Sequence, residues 1–522
     1  METVLRTKRR LSIPRVLLVA LILSGSMYGA TQSFADWRAE ESLVGYAPWF
    51  AAYVDVTLTP TYPFEKKEYV AESDDIVLSF IVASRADACT PSWGGYFTLE
   101  EAAGALDLDR RIARLQQQEG RVAVSFGGAR NAELAHACTD RDKLTAAYRE
   151  VIERYRINTI DMDLEGDSLR DKEGLVRRAE VLAALQKEYR ESQKPIAIWV
   201  TLPVTPQGLS QEGTDAIAAF LEANVDLAGV NLMTMDYSDS RNKNDSMYEA
   251  SRKALTEAHR QLTILYKQAD IPLGSKAVWA KIGATPMIGQ NDVVGEVFTL
   301  ADAAKLNLFA RDQGIGRMSM WSANRDAKCG ENYVDVNVVS NHCTGVDAPS
   351  FAFARALRAG FTGDLVQNAS LITVADPTSN EHVVDDPVNS PYPVWQEGSV
   401  YLKGAKVVWH GNVYEAKWWT KKDMPDNPVL QSYETPWQLI GPVLPGDKPV
   451  KLLTLPAGTY PTWYGEAIYS EGDRVLFNGL PYESKWWNKG ESPAAAASDP
   501  DSSPWILLTQ EQIAAIREAR GL

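Results

Sequence analysis

Residues 157–166 read INTIDMDLEG. Apolar and acidic side chains alternate here, so an extended strand places Asp161, Asp163 and Glu165 on one face and Met162 and Leu164 on the other. Ile157, Ile160, Met162 and Leu164 are the apolar side chains of a buried strand. Carboxylates crowded before such a backing cannot all ionise cheaply, so one is expected to keep its proton near neutral pH. The same letters also fit the opening of a calcium loop. That reading needs Glu at the twelfth position from Asp161, where Lys172 stands.

Outward from this strand, short β-branched or aromatic runs alternate with helical patterns from residue 41 to about 360, as expected for a parallel sheet covered by helices. Strands are expected at Leu43–Trp49, Ile76–Ser84, Arg121–Phe126, Ile157–Glu165, Ile196–Leu202, Leu227–Met235, Ala277–Ile282 and Arg317–Trp321, with helices such as Leu144–Tyr155 and Arg177–Glu191 between them. Eight such units suit a TIM (β/α)8 barrel, whose active site lies where strands end and the next loops begin. The motifs obey that rule. SFGG (Ser125–Gly128) closes the third strand, the acidic trio the fourth, NLMTMDY (Asn231–Tyr237) the sixth and MSMWSANRD (Met318–Asp326) the eighth.

The fold class expected is therefore α/β, a barrel at 36–360 followed by two small all-β modules. With 522 residues and 45% hydrophobic content the chain can bury several cores. A formal charge of −15 excludes a broad basic face for nucleic acid or anionic membrane. Arg6, Lys8, Arg9, Arg10 and Arg15 precede the apolar run Val16–Leu23 and small residues, the pattern of a signal peptide over 1–35. The run is short for a membrane span, so a secreted, extracellular protein with no membrane partner after cleavage is expected. Four cysteines permit three pairings. Cys89 and Cys138 each follow a strand in neighbouring units and Cys329 and Cys343 flank one loop, so Cys89–Cys138 and Cys329–Cys343 are the expected bridges. Five histidines without paired ligand spacing give no metal site, and no cofactor is expected. Nothing demands more than a monomer.

Residues 361–392 read as a polar linker, and a repeat follows. Trp395, Tyr401, Gly404, Val407, Gly411, Tyr414, Trp418, Trp419 and Trp437 recur 68 positions later as Trp463, Tyr469, Gly472, Val475, Gly479, Tyr482, Trp486, Trp487 and Trp505. The copies occupy 393–443 and 462–509, with a linker at 444–461. Modules this small cannot bury so many aromatics. If KWW is extended, Trp418 and Trp419 point to opposite faces, as do Trp486 and Trp487, leaving one of each doublet in the core and its neighbour exposed for stacking on sugar rings.

The acidic segment resembles the D-x-x-D-x-D-x-E signature of family 18 glycoside hydrolases, the chitinase family, with Asn158 at the first acid and Asp161, Asp163 and Glu165 at the others. The resemblance implies a substrate-assisted, retaining reaction. Glu165 is then proton donor and later base, Asp163 orients the acetamido group and stabilises an oxazolinium cation, and Asp161 shares a proton with Asp163. SFGG resembles the family's S-x-G-G motif, which implies that Ser125 bonds the acidic relay and that Gly127 and Gly128 leave room beside the sugar. NLMTMDY resembles M-x-Y-D, with Met233 and Asp236 in place and Met235 where the family has tyrosine; Tyr237 or another strand then supplies that contact. Trp321 stands where the family keeps a tryptophan under the cleaved sugar. The repeats resemble carbohydrate-binding modules of families 5 and 12, which bind insoluble chitin. Together these imply a secreted chitinase acting on chitin or N-acetylglucosamine oligosaccharides. A non-hydrolytic chitin lectin and an endo-β-N-acetylglucosaminidase acting on glycoproteins are the rival readings.

Overall fold

The parallel strands expected around INTIDMDLEG form one continuous series in a computed structural model of the chain. The structure describes residues 47–70, 73–271, 273–331, 333, 338–363, 365, 385–386, 390–444, 446–448, 453–493 and 503–522. The expected signal peptide at 1–35 and much of the 361–392 linker lie outside these residues. Two compact units are formed, one from 1–204, 215–252 and 265–380, the other from 205–214, 253–264 and 381–522. Among the described residues no helix is long and apolar enough to cross a membrane.

The first unit contains β1 (Trp49–Phe50), β2 (Ala52–Asp55), β3 (Asp75–Ala83), β4 (Pro91–Trp93), β5 (Phe97–Thr98), β6 (Arg121–Gly127), β7 (Thr159–Asp163), β8 (Ala197–Pro203), β9 (Leu227–Met233), β10 (Ile282–Thr285), β11 (Gly289–Gln290), β12 (Val297–Phe298) and β13 (Arg317–Met318). Parallel pairing runs β3-β6-β7-β8-β9-β10-β13. At its ends β13 pairs with β1, and β3 pairs with β2 only one residue further along the chain. The stretch 49–55 therefore serves both ends of the series, and the architecture is that of a TIM-like barrel. Helices such as Arg141–Tyr155 and Lys172–Glu191 return the chain between strands. Each starts on an aspartate, Asp140 or Asp171, whose carboxylate accepts the first free backbone N–H groups.

Two strand expectations are corrected. Leu43–Trp49 was placed too early: β1 begins at Trp49, β2 carries the strand on to Asp55, and residues 43–46 lie outside the described residues. Ala277–Ile282 is not a strand, because Ser275–Ala280 is a helix and the strand is Ile282–Thr285. The register decides this: Ile282, Gly283, Ala284 and Thr285 face Val230, Asn231, Leu232 and Met233, leaving Ala277–Ala280 to pack as a short helix.

Trp49, Ala51 and Tyr53 alternate into the interior beside Val77, Ala123 and Trp199. Trp49 and Trp199 meet edge to face at 5.5 Å. Cys89 is bridged to Cys138 and Cys329 to Cys343, the two pairs named above.

In the second unit the repeats form matching small sheets. The first has β14 (Val400–Tyr401), β15 (Lys406–Trp409), β16 (Asn412–Ala416), β17 (Thr420–Lys421) and β18 (Trp437–Pro442); the second has β19 (Ile468–Tyr469), β20 (Arg474–Phe477), β21 (Leu480–Ser484), β22 (Asn488–Lys489) and β23 (Trp505–Leu507). Hydrogen bonds repeat with the sequence. Trp437 Nε1 donates to the Asp423 carbonyl at 2.9 Å and Trp505 Nε1 to that of Glu491 at 2.7 Å. The Tyr401 and Tyr469 hydroxyls each accept a backbone N–H at 2.7 Å, from Gln396 and Tyr464.

Both tryptophans of each doublet are exposed: Trp418 43%, Trp419 57%, Trp486 42% and Trp487 64%. The expected split between core and surface fails because neither doublet lies in a strand. KWW occupies a bend between β16 and β17, and again between β21 and β22, so two-residue alternation does not apply. The cores use Trp395, Val407, Tyr414 and Trp437 in one copy and Tyr469, Val475, Tyr482 and Trp505 in the other.

The Cys89–Cys138 bridge closes a loop of 49 residues. Replacing both cysteines by serine is expected to lower the stability of the first unit by about 2–4 kcal/mol. The shift in denaturation midpoint measures it, and an unmoved midpoint contradicts the expectation.

Candidate active site

Asp161 and Asp163 project inward from β7, while Ile160, Met162 and Leu164 are fully buried on its other side. Each oxygen of Asp161 is doubly bonded to donors. Oδ2 accepts from the Tyr53 and Ser125 hydroxyls, both at 2.8 Å, and Oδ1 from Thr201 Oγ1 and Arg317 NH1, both at 2.7 Å. Arg317 is itself fully buried. Its remaining nitrogens donate to Ser319 Oγ and the Tyr53 hydroxyl, and its guanidinium lies 5.1–5.4 Å from the rings of Trp49, Tyr53 and Trp199. Asn231 and Thr285 extend the network.

All four of these bonds tie Asp161 to the surrounding strands. The Asp163 carboxyl instead hydrogen-bonds with Glu165, and its Oδ1 has no partner. Burial, then the charges of Glu165 and Asp161, hold Asp163 well above the usual carboxylate range. Glu165, half-buried just beyond the strand, is pushed up to about 7, chiefly by burial, with the Asp236 charge adding to the shift and the Asp163 hydrogen bond opposing it. Ser168 fixes its main chain, donating to the Glu165 carbonyl at 2.8 Å and accepting its N–H at 3.3 Å.

Asp163 and Glu165 open on a cavity of about 430 Å³. Met233, Met235, Asp236 and Trp321 line it, as do Tyr53, Phe80, Thr201 and Asp292. Trp321 stacks on Phe80 at 5.5 Å, the two rings nearly parallel. Asp236 sits in the left-handed region at φ 51° and accepts the Val293 N–H at 3.0 Å, so it braces the loop after β10 rather than capping a helix. Burial raises its proton affinity.

Two expected substrate contacts, that of Tyr237 and that of the glycine pair, are corrected. The Tyr237 hydroxyl bonds Ser251 at 3.1 Å inside the protein, because the turn at Asp236 sends the next side chain away from the cavity. Ser125 bonds Asp161, the contact with the acidic relay that was expected of it, and does not line the cavity. Gly127 and Gly128 make room for protein rather than sugar: a Cβ on Gly127 (φ +107°) would lie 2.0 Å from the Asp163 carbonyl, and one on Gly128 would press on the Phe80 ring.

Tyr53, Arg317, Thr201 and Asn231 escaped the sequence reading. Their signal was a polar or charged side chain at an inward position of a buried strand, visible only once register is known.

A sequence profile described as "Glycosyl hydrolases family 18" matches residues 60–270, which contain the three acids. The chain is similar to a "Probable bifunctional chitinase/lysozyme" of Escherichia coli (strain K12), 32% identical over 329 residues that cover 62% of this chain and 36% of that protein. It is also similar to "Endochitinase 11" of Metarhizium anisopliae, 32% identical over 307 residues, 56% of each. The chain thus spans between a third and three-fifths of these relatives. The solved catalytic domain of a hyperthermophilic chitinase from Pyrococcus furiosus matches with a TM-score of 0.50 and 27% identity, over 61% of this chain and 99% of that one. Catalytic-site mutants of the same enzyme, complexed with chito-oligosaccharides, match with a TM-score of 0.50 and 27% identity over 60% and 96%.

Two consequences can be measured. Arg317→Met leaves the Asp161 carboxylate buried without its cation and should cost about 3–5 kcal/mol in chemical denaturation, part of which Asp161→Asn in the same chain restores. Glu165 binds its proton more tightly in the folded state, where it is released near pH 7, than a free glutamate does, near pH 4.5. Its ionisation therefore weakens the fold above pH 7, and this penalty vanishes as the pH falls to 4.5. Glu165→Gln should stabilise the protein by on the order of 2 kcal/mol at pH 8 and by nothing at pH 4.

Proposed function

We propose that the protein is a secreted chitinase that hydrolyses β-1,4-linked N-acetylglucosamine chains by a retaining, substrate-assisted mechanism. The observation carrying this reading is the pair Asp163–Glu165. Both carboxyls have raised proton affinity, and they stand together at the wall of a cavity floored by Trp321.

Glu165 enters protonated and gives its proton to the glycosidic oxygen. The acetamido oxygen of the same sugar attacks the anomeric carbon as that bond breaks, so no protein nucleophile is needed. Asp163, buried and with Oδ1 unpartnered, takes the acetamido N–H and opposes the positive charge of the oxazolinium ring. Glu165, now ionised, removes a proton from water, which opens the ring from the face that the leaving group vacated. Two displacements at one carbon return the original configuration. Asp161, bonded to Tyr53, Ser125, Thr201 and Arg317, anchors the strand that carries Asp163.

The repeats at 393–443 and 462–509 act in this reading as chitin-binding modules. Trp418, Trp419, Trp486 and Trp487 offer flat exposed surfaces, and Lys417 and Lys485 lie against the Trp418 and Trp486 rings in matching positions. A repeating polymer rewards two such modules through avidity. The intact acid trio speaks against the lectin, and the tandem modules against an enzyme for glycoproteins.

Glu165→Gln should lower kcat on chito-oligosaccharides at least about 10³-fold while chitin binding persists. The unmodified chain should release products that retain the β configuration, and its activity should decline as pH rises through about 7, where Glu165 loses its proton. Inverted products would falsify the mechanism. Replacing Trp418, Trp419, Trp486 and Trp487 by alanine should release the protein from solid chitin but leave kcat on soluble oligomers intact, as a pull-down and a rate assay will read.

A further inference from the structure

One wall of the cavity is built from two segments the reaction does not use. The β4–β5 hairpin turns at Gly94 and Gly95, both left-handed, and lifts Tyr96 into solvent at the cavity rim, 62% exposed. Its root is fixed by Trp93, fully buried, whose Nε1 donates to the Tyr155 hydroxyl at 2.9 Å. The second segment, after β6, brings Ala129, Arg130 and Asn131 to the same cavity. Asn131 Nδ2 donates to the Gly94 carbonyl at 3.0 Å, Ala83 N–H to the Ala132 carbonyl at 2.9 Å, and the Cys89–Cys138 bridge ties the flanks of both segments. Tyr96 is thus an exposed aromatic on a stiff support, which a binding site gains from and a folding core does not.

Two cations stand at this wall. The Arg85 guanidinium lies 4.2 Å from the Tyr96 ring centroid, and Arg130 lines the same cavity as Tyr96. Arg110, Arg141, Arg170 and Arg190 each meet a carboxylate, whereas exposed Arg114 and Arg156, away from the cavity, do not. Among the described residues Arg85 and Arg130 meet none. The other carboxylates of the cavity, Asp55, Asp163, Glu165, Asp236 and Asp292, make the remainder acidic. A deacetylated sugar carries a 2-ammonium group, whereas an N-acetylated one is neutral.

We infer that Tyr96, Arg85 and Arg130 form a rim subsite that takes an N-acetylated sugar and rejects a deacetylated one, so that the cleft reads the acetylation of its polymer away from the bond it cuts. This rests on the chitinase reading. The sugar stacks on Tyr96, and the two guanidiniums repel an ammonium placed over the ring.

The test uses the full chain carrying Glu165→Gln, so binding is read without turnover. Dissociation constants are measured at low salt for chitohexaose, fully acetylated, and for the fully deacetylated glucosamine hexamer. Arg130→Glu and Arg85→Glu should each shift the ratio of the two constants by about threefold in favour of the deacetylated hexamer, and 0.5 M NaCl should erase the shift. Arg114→Glu, on an outer helix, is the charge control and should not shift it. Tyr96→Ala should weaken binding of both hexamers by a similar factor. A ratio unmoved by both rim reversals, or moved equally by Arg114→Glu, overturns the inference. Failure of the unmodified chain to hydrolyse chitohexaose would overturn the chitinase reading instead, and the binding ratio would still judge the rim.

Discussion

The buried pair of Asp161 and Arg317 is the constraint around which the barrel interior is arranged. A carboxylate with both oxygens doubly bonded, facing a guanidinium enclosed by three aromatic rings, is stable there only if every partner is in place. Those partners come from β1, β2, β6, β8 and β13, spread along the chain on both sides of β7. The ion pair thus fixes the register of the barrel's inner face, and whatever stands one step further along β7 inherits that precision.

What stands there is Asp163, then Glu165. Asp161 spends its hydrogen-bonding capacity on the scaffold, so Asp163 is left with an unpartnered oxygen and a single carboxyl neighbour. The division of labour among three similar acids follows from depth. The deepest is neutralised by a cation, the next is buried with little compensation, and the outermost touches the cavity and holds its proton near neutral pH. Gly127 belongs to the same logic, since only a residue without a Cβ lets β6 approach the Asp163 carbonyl.

The departures from expectation share a cause. The tryptophan doublets follow from alternation along an extended chain and Tyr237 from its place beside Asp236, but the chain bends at KWW and turns at Asp236. Alternation is a property of strands, and it stops when the backbone leaves the ladder. The bends put both tryptophans of each copy in solvent, while the residues between which they lie keep the β-module cores closed.

The alternation of INTIDMDLEG was enough to place Asp161 and Asp163 on one face of a buried strand, because side-chain direction in a strand depends only on local geometry. The 68-residue repeat was likewise legible, since duplication is written in the sequence itself. The helix at Ser275–Ala280, the partners of Asp161, and the inward roles of Tyr53, Arg317, Thr201 and Asn231 were not. These depend on which strands lie side by side and in what register, and a polar residue in a buried strand declares its partner only when the neighbouring strand arrives. The acids were thus a matter of sequence, and their unequal hold on protons a matter of the tertiary structure, because burial and opposing charge exist only once distant strands have come together.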